Sequence, residues 1–304
     1  MPVSLSASAI DLHFLGHPHI IGTGVLTGPD GLVLIDPGPS TTVGELERGL
    51  QALGASLDDV RALLVTHIHL DHCGGTGTIL AAHSHIDVYV HERGAPHLVD
   101  PARLVASATR LYKDDMTRLW GEIRPVPAAR VHAIGERADL HFAGRSIEAI
   151  WTPGHANHHL CFIEPETRTI FTGDTAGMCR PGHTEVVPPT LPPEVDLVAW
   201  RQSTDRLLAL EPRALFLTHF GPRTDPADHI DRLWRRLNDW TARVEASLAD
   251  DSPGVTDDSR AEAFAAAALE DLSERSTPED AAAHAKAAPF ALNWAGLARY
   301  LRKR

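Results

Sequence analysis

The stretch Val65-Thr66-His67-Ile68-His69-Leu70-Asp71-His72 gathers three imidazoles and a carboxylate directly behind an apolar run. Neutral imidazoles and ionised carboxylates suit zinc, iron or manganese, whereas calcium wants mostly oxygen ligands and a structural zinc usually recruits thiolates. The chemistry implied is that of a catalytic transition metal. The chain holds 19 histidines, so a lone one signifies little. A cluster of ligand-type side chains at the end of a strand is a different matter.

Thr66-His67-Ile68-His69-Leu70-Asp71-His72 resembles the signature of the metallo-β-lactamase-fold hydrolase superfamily, and further segments similar to that family follow in order. Leu34-Ile35-Asp36-Pro37-Gly38 resembles its early strand ending in an aspartate. Thr152-Pro153-Gly154-His155, Phe171-Thr172-Gly173-Asp174 and Leu217-Thr218-His219-Phe220-Gly221 resemble its later ligand-bearing segments. The likeness runs from about Asp11 to Gly221 and is nearest to a glyoxalase II-like, poorly characterised prokaryotic branch.

Carried over residue by residue, the resemblance assigns His67, His69 and His155 to one metal and Asp71, His72 and His219 to a second, with Asp174 bridging. It implies two divalent transition ions, zinc first with iron or manganese as alternatives, holding a hydroxide that attacks an ester-type bond. Asp71 is the candidate to orient the water or accept its proton. Asp36 and His159 are expected to support the ligands rather than bind metal. His158 stands where many relatives have glycine, so it points either into the cavity or into solvent. The expected substrate is a small molecule carrying a lactone, thioester or phosphodiester. The same fold also supports mononuclear-iron persulfide dioxygenases, which use two histidines and an aspartate; the extra ligands His72 and His219 weigh against that reading. A nuclease and a metal-retaining scaffold are further alternatives.

The elements that must position these side chains can be read from periodicity. Ile10–Leu15, Ile20–Leu26 and Leu32–Ile35 read as strands, with Gly28-Pro29-Asp30-Gly31 as a turn. Val43, Leu46, Leu50 and Leu53 have helical spacing, Ala62–Val65 is a short buried strand, and Gly77–His83 and Ile86–Val90 make another helix and strand. Ile147–Thr152, His159–Glu164, Thr169–Thr172 and Ala214–Leu217 are later strands, and Val195–Leu210 is a helix. Such alternation predicts an α/β domain; the resemblance makes it a four-layer αββα sandwich over residues 1–224. Residues 101–120 read as a helical insertion; the resemblance implies that it lies near the site, with Tyr112, Met116 and Trp120 as candidate substrate contacts. Pro188-Pro189-Thr190-Leu191-Pro192-Pro193 is a stiff connector, since proline removes donors and fixes the backbone. Residues 225–304 read as a C-terminal helical appendage in which Trp294 and Tyr300 serve as anchors. Helices so placed occur in the glyoxalase II group, but the C-terminal residues lack that group's substrate-binding pattern.

With 304 residues the chain is long enough to bury a large core. Its net charge of −12 and lack of a long basic run argue against a nucleic-acid partner. No apolar stretch reaches membrane-spanning length, and Met1–Ile10 lacks the pattern of a secretory signal, so a cytoplasmic location is expected. Cys73, Cys161 and Cys179 are too few for a disulfide framework, which agrees with a reducing compartment. Cys73 follows His72 but is expected to be a small buried side chain, not a ligand. The oligomeric state stays open, a homodimer included.

Overall fold

The computed structural model describes residues 7–304, so most of the segment read for a leader lies outside the described residues. Two six-stranded mixed sheets make the centre of the molecule. The first runs β1 (Ala7–Asp11), β2 (Gly22–Gly28), β3 (Gly31–Ile35), β4 (Val60–Leu64), β5 (Asp87–His91) and β6 (Val131–Ile134) in spatial order. The second is built from β7 (Arg137–Phe142), β8 (Arg145–Trp151), β9 (Leu160–Glu164), β10 (Thr169–Gly173), β11 (Ala214–Leu217) and β12 (Gly221–Arg223), ordered from β12 at one edge to β7 at the other. Strands β3 to β6 are parallel, as are β10 and β11; the remaining neighbours are antiparallel.

Strands buried on both faces explain the apolar runs Leu32–Ile35 in β3 and Ala62–Leu64 in β4. Val33, Ile35, Ala62 and Leu64 face the second sheet and pack with Leu160, Phe162, Phe171 and Phe216. Their alternate neighbours Leu32, Leu34, Leu63 and Val65 face outward into a core shared with helices α1 (Val43–Ala52), α2 (Leu70–Cys73) and α3 (Thr76–Ala82). Cys73 is buried in that same core. Short α4 (Ala95–Val99) and the insertion complete this side. On the other side, α7 (Leu197–Ala209) and α8 (Pro226–Leu248) cover the second sheet through Trp200, Leu207, Leu233 and Leu237. The result is the expected αββα order of layers.

Three details depart from the sequence reading. The first strand ends at Asp11 instead of continuing to Leu15, because the Asp11 carboxylate accepts the N–H groups of His13 (3.0 Å) and His19 (2.8 Å) and closes a loop with left-handed turns at His13, Leu15 and His19. The 101–120 insertion is two helices, α5 (Ala102–Tyr112) and α6 (Met116–Trp120), broken where Lys113 takes φ +48°. Strands β6, β7 and β12 had no counterpart in the sequence reading; β7 is a half-exposed edge strand, and β12 is only three residues long.

Past α8 come α9 (Asp257–Arg275), α10 (Pro278–Ala287) and α11 (Phe290–Arg302). Thr256 and Thr277 cap α9 and α10 by accepting backbone N–H groups of Ser259 and Asp280, and Pro278 opens α10 where a missing N–H costs nothing. Trp240, Phe264, Phe290, Trp294 and Leu297 join these helices in one apolar cluster, in which Trp294 and Tyr300 are both buried. Among the described residues, no helix is long and apolar enough to cross a membrane.

Candidate metal centre

Every expected ligand sits just beyond the carboxyl end of a strand, where side chains from separate segments can converge. His67, His69, Asp71 and His72 follow β4, His155 follows β8, Asp174 follows β10 and His219 follows β11. Two of these turns demand glycine. A Cβ on Gly154 (φ +144°) would stand 2.3 Å from the Trp200 Cα, and one on Gly173 (φ +47°) would stand 2.5 Å from Thr66 Oγ1 and 2.6 Å from His159 Nε2. Helix α7 buttresses the His155 turn: Asp196 N–H donates to Gly154 O (2.8 Å) and Ser203 Oγ donates to Pro153 O (2.7 Å).

The converging atoms form two adjacent groups, His67, His69, His155 and Asp174 in one and Asp71, His72 and His219 in the other. In the first, His67 Nε2 lies 2.9 Å from His69 Nδ1, and His155 Nε2 lies 3.0 Å from His69 Nδ1 and 3.2 Å from His67 Nε2. In the second, Asp71 Oδ2 stands 3.3 Å from His219 Nε2 and 3.5 Å from His72 Nε2. Asp174 lies between the groups. Its Oδ2 faces His155 Nε2 (3.2 Å) and His67 Nε2 (3.7 Å), while its Oδ1 faces His72 Nε2 (3.3 Å) and His219 Nε2 (3.4 Å).

Hydrogen bonds on the far side of each ring decide which nitrogen is bare. His155 Nδ1 donates to Pro189 O (2.7 Å), His219 Nδ1 to Ile20 O (2.6 Å) and His72 Nδ1 to Asp36 Oδ2 (2.8 Å). Thr66 Oγ1 gives its proton to Asp36 Oδ2 (2.8 Å) and can therefore accept from His67 Nδ1 (3.1 Å). Four Nε2 lone pairs are left pointing inward, and lone pairs at such distances repel unless a cation lies between them. His72 Nε2 and Asp174 Oδ1 are buried without a hydrogen-bond partner. Buried polar atoms seldom go unpaired, so the donor set fits a metal ion at each group.

The electrostatics divide along the same line. Burial, reinforced by neighbouring imidazoles, holds His67 well below the usual histidine range; burial likewise takes His155 down to about 4, so both rings are neutral and ready to ligate. Burial also pulls on His72, but the carboxylates of Asp174, Asp71 and Asp36 outweigh it and raise its pKa, and Asp174 and Asp71 raise that of His219. Asp174 and Asp71 are pushed up by burial yet held below the carboxylate range by the histidines around them, so both stay ionised.

Behind the ligands lies a supporting layer. The fully buried Asp36, itself in a left-handed turn (φ +54°), accepts from Thr66 N–H, Thr66 Oγ1, Thr218 Oγ1 and His72 Nδ1, each at 2.8 Å. His159 accepts the Asp174 N–H at Nε2 (3.2 Å) and faces Thr152 Oγ1 through Nδ1 (2.9 Å), which fixes the backbone of Asp174 without adding a ligand. Sequence reasoning missed Thr66 and Thr218 as Asp36's partners. The signal was present as a repeated Thr-His pair, Thr66-His67 and Thr218-His219, at two strand ends.

A cavity of about 210 Å³ opens above Asp71, Asp174, His69 and His219. Tyr112 lines it from α5, and burial together with the Asp71 and Asp174 carboxylates pushes its phenol further up, so it stays protonated. His158 also lines it, with Nε2 3.5 Å from Glu194. Met116 and Trp120 need correcting as substrate contacts: Trp120 is buried in a stack on Phe14 (ring centroids 5.5 Å), and Met116 packs against the same outer core, because the break at Lys113 turns α6 away from the cavity wall. No pattern in the sequence pointed to Glu194, Met178 or the Ala287-Ala288 pair in that wall.

This geometry agrees with the comparisons to known proteins. The family model described as the metallo-beta-lactamase superfamily matches residues 21–219. A metallo-beta-lactamase fold-containing protein of Sulfurisphaera tokodaii is 27% identical over 207 residues, covering 67% of this chain and 74% of that protein. A hydroxyacylglutathione hydrolase of Xylella fastidiosa is 31% identical over 151 residues, covering 49% of this chain and 43% of that enzyme. Several curated relatives are matched over only 31% to 43% of their own length. The crystal structure of a metallo-beta-lactamase family protein from Thermus thermophilus superposes with a TM-score of 0.72 at 23% identity, covering 98% of this chain and 93% of that one, so the likeness in fold extends through the C-terminal helices. With its ligand-bearing loops inside the matched region, the chain belongs to the metallo-beta-lactamase superfamily.

Proposed function

We propose that this protein is a binuclear metal-dependent hydrolase that cleaves an ester-type bond at a carbonyl carbon in a small molecule. The observation that carries the reading is the placement of Asp174, whose two carboxylate oxygens face the two ligand groups separately. Bound there, a pair of divalent ions, zinc by ligand type, would lower the pKa of water toward neutrality and polarise a carbonyl oxygen. The chain's own contributions are distinct. Asp71 and Asp174 stay ionised at the cavity floor, where Asp71 can orient a nucleophile and take up its proton. Tyr112 stays protonated in the wall and can donate to an oxygen that gains charge.

Carbonyl chemistry is favoured over phosphoryl chemistry by the cavity wall. Leu104, Ala108, Leu111, Met178 and Leu191 line it, with Arg103 as the one arginine or lysine there among the described residues, so beyond the ions themselves the wall offers an anionic phosphodiester little positive charge. The relative named a hydroxyacylglutathione hydrolase lends weight to a thioester, with lactones beside it. The test is a panel of lactones, thioesters and phosphodiesters on zinc-, manganese- and iron-loaded protein. The proposal expects turnover of a carbonyl substrate that disappears, together with metal uptake, in His69→Ala and Asp174→Ala. Turnover unchanged in those variants, or confined to phosphodiesters, contradicts it.

A further inference from the structure

Three elements far apart in sequence contribute apolar side chains to the cavity above the candidate ligands. Leu104, Ala108 and Leu111 come from α5, Leu191 from the proline connector and Ala287 from the end of α10. The connector is pinned to the C-terminal helices: the Thr190 N–H donates to Asn293 Oδ1 (2.7 Å) and Thr190 Oγ1 donates to Asn293 O (3.1 Å). Helix α10 is held down by Asp280, which accepts from Arg180 Nε (2.6 Å) and lies 2.8 Å from His183 Nε2. The C-terminal helices therefore build one side of the chamber, and they build it from small side chains.

We infer that this chamber binds the acyl arm of the substrate, that the arm is an uncharged apolar group of about six carbons or one ring, and that Ala287 sets its size. The inference rests on the carbonyl-hydrolase reading above. Its size follows from volume: a cavity of about 150 Å³ takes a benzene ring, and this one measures about 210 Å³ including the space directly over His69, Asp71, Asp174 and His219, which leaves room for one group of that order. Its polarity follows from the walls: Leu104, Leu111, Leu191 and Ala287 offer a charged group no partner, Arg103 is exposed, and Glu194 is already engaged by the Asn157 N–H (3.0 Å) and faces His158. The floor carboxylates and histidines hold the scissile bond at one end, and the chamber accommodates the chain that leads away from it.

Two measurements test this. In the first, kcat/KM is measured for acetyl, butanoyl, hexanoyl and dodecanoyl thioesters sharing one thiol. Burial of each added methylene should raise kcat/KM about fourfold up to hexanoyl, with no further gain at dodecanoyl. In Ala287→Phe, and independently in Ser107→Leu on α5, the hexanoyl-to-acetyl ratio of kcat/KM should fall at least tenfold. In the second, calorimetry follows hexanamide and acetamide binding to the metal-loaded protein, which reads the chamber without any turnover. Hexanamide should bind at least tenfold more tightly than acetamide, and Ala287→Phe should remove that difference. A flat chain-length profile, or equal binding of the two amides, overturns the inference even if esters are cleaved. Selective hexanamide binding with no carbonyl substrate cleaved overturns the hydrolase reading and leaves the chamber's role standing.

Discussion

Asp36 Oδ2 accepts the Nδ1 proton of His72 at 2.8 Å, and the same carboxylate accepts from Thr66 and Thr218. One buried side chain thereby ties the loop after β3 to those after β4 and β11, and it aims His72 Nε2 at the centre. Replacing Asp36 by Asn keeps its size and tolerates the left-handed backbone, but it trades one acceptor oxygen for donors. The expected result is a 10–100-fold loss of metal affinity, read by competition with a chromogenic chelator. Unchanged affinity would remove Asp36 from the account.

Gly173 closes β10 just before Asp174, with a left-handed backbone where a Cβ would be driven into Thr66 and His159. Gly173→Ala should cost roughly 1–3 kcal/mol of stability and lower the metal content of the folded fraction. Urea unfolding paired with metal analysis measures both. A fully stable, fully loaded variant would show that the turn has room the structure denies it.

Asn293 reaches the centre through the connector, since Thr190 follows Pro189, whose carbonyl holds His155 Nδ1. Asn293→Leu leaves the buried Thr190 N–H without its acceptor, at a cost of about 1–3 kcal/mol, and loosens the anchor of His155. Chelator-driven metal loss should be faster than in the unaltered protein. Equal loss rates would separate the C-terminal helices from the metal centre.

His229 in α8 donates Nε2–H to Ala176 O (2.8 Å) and has its Nδ1 buried without a partner. Burial lowers its pKa to about 4. An unfolded chain, with histidine near 6.5, binds the proton first between those values, so folding stability falls as pH drops from about 6.5 towards 4. At the acid end the loss from this one group is on the order of 3 kcal/mol. His229→Gln should flatten that slope in urea unfolding across the same pH window, whereas an identical slope would assign the acid sensitivity elsewhere.

How much of this was legible in the sequence depends on range. The clustered ligands His67, His69, Asp71 and His72 announce themselves because β4 and the following turn hold them together locally, and Gly154 and Gly173 mark turns next to His155 and Asp174. Strands β3 and β4 were readable from apolar runs buried on both faces, while β7 is a short, half-exposed edge strand whose strict polar–apolar alternation from Arg137 to Phe142 went unread. Of the cavity wall, Tyr112 and His158 were readable, whereas Glu194, Met178 and Ala287 were not. Ala287 lines the same cavity as Leu104 only through tertiary packing, and Trp120 left the cavity because one residue, Lys113, breaks the insertion helix.

The central claim is two ions divided by Asp174, and metal stoichiometry tests it most directly. Protein stripped and reloaded with zinc, then freed of excess metal, should hold two ions per chain by elemental analysis and hydrolyse its carbonyl substrate without consuming oxygen; Asp174→Asn should hold fewer than two. A single tightly bound iron with oxygen uptake on a persulfide, or no retained transition metal, would contradict the account.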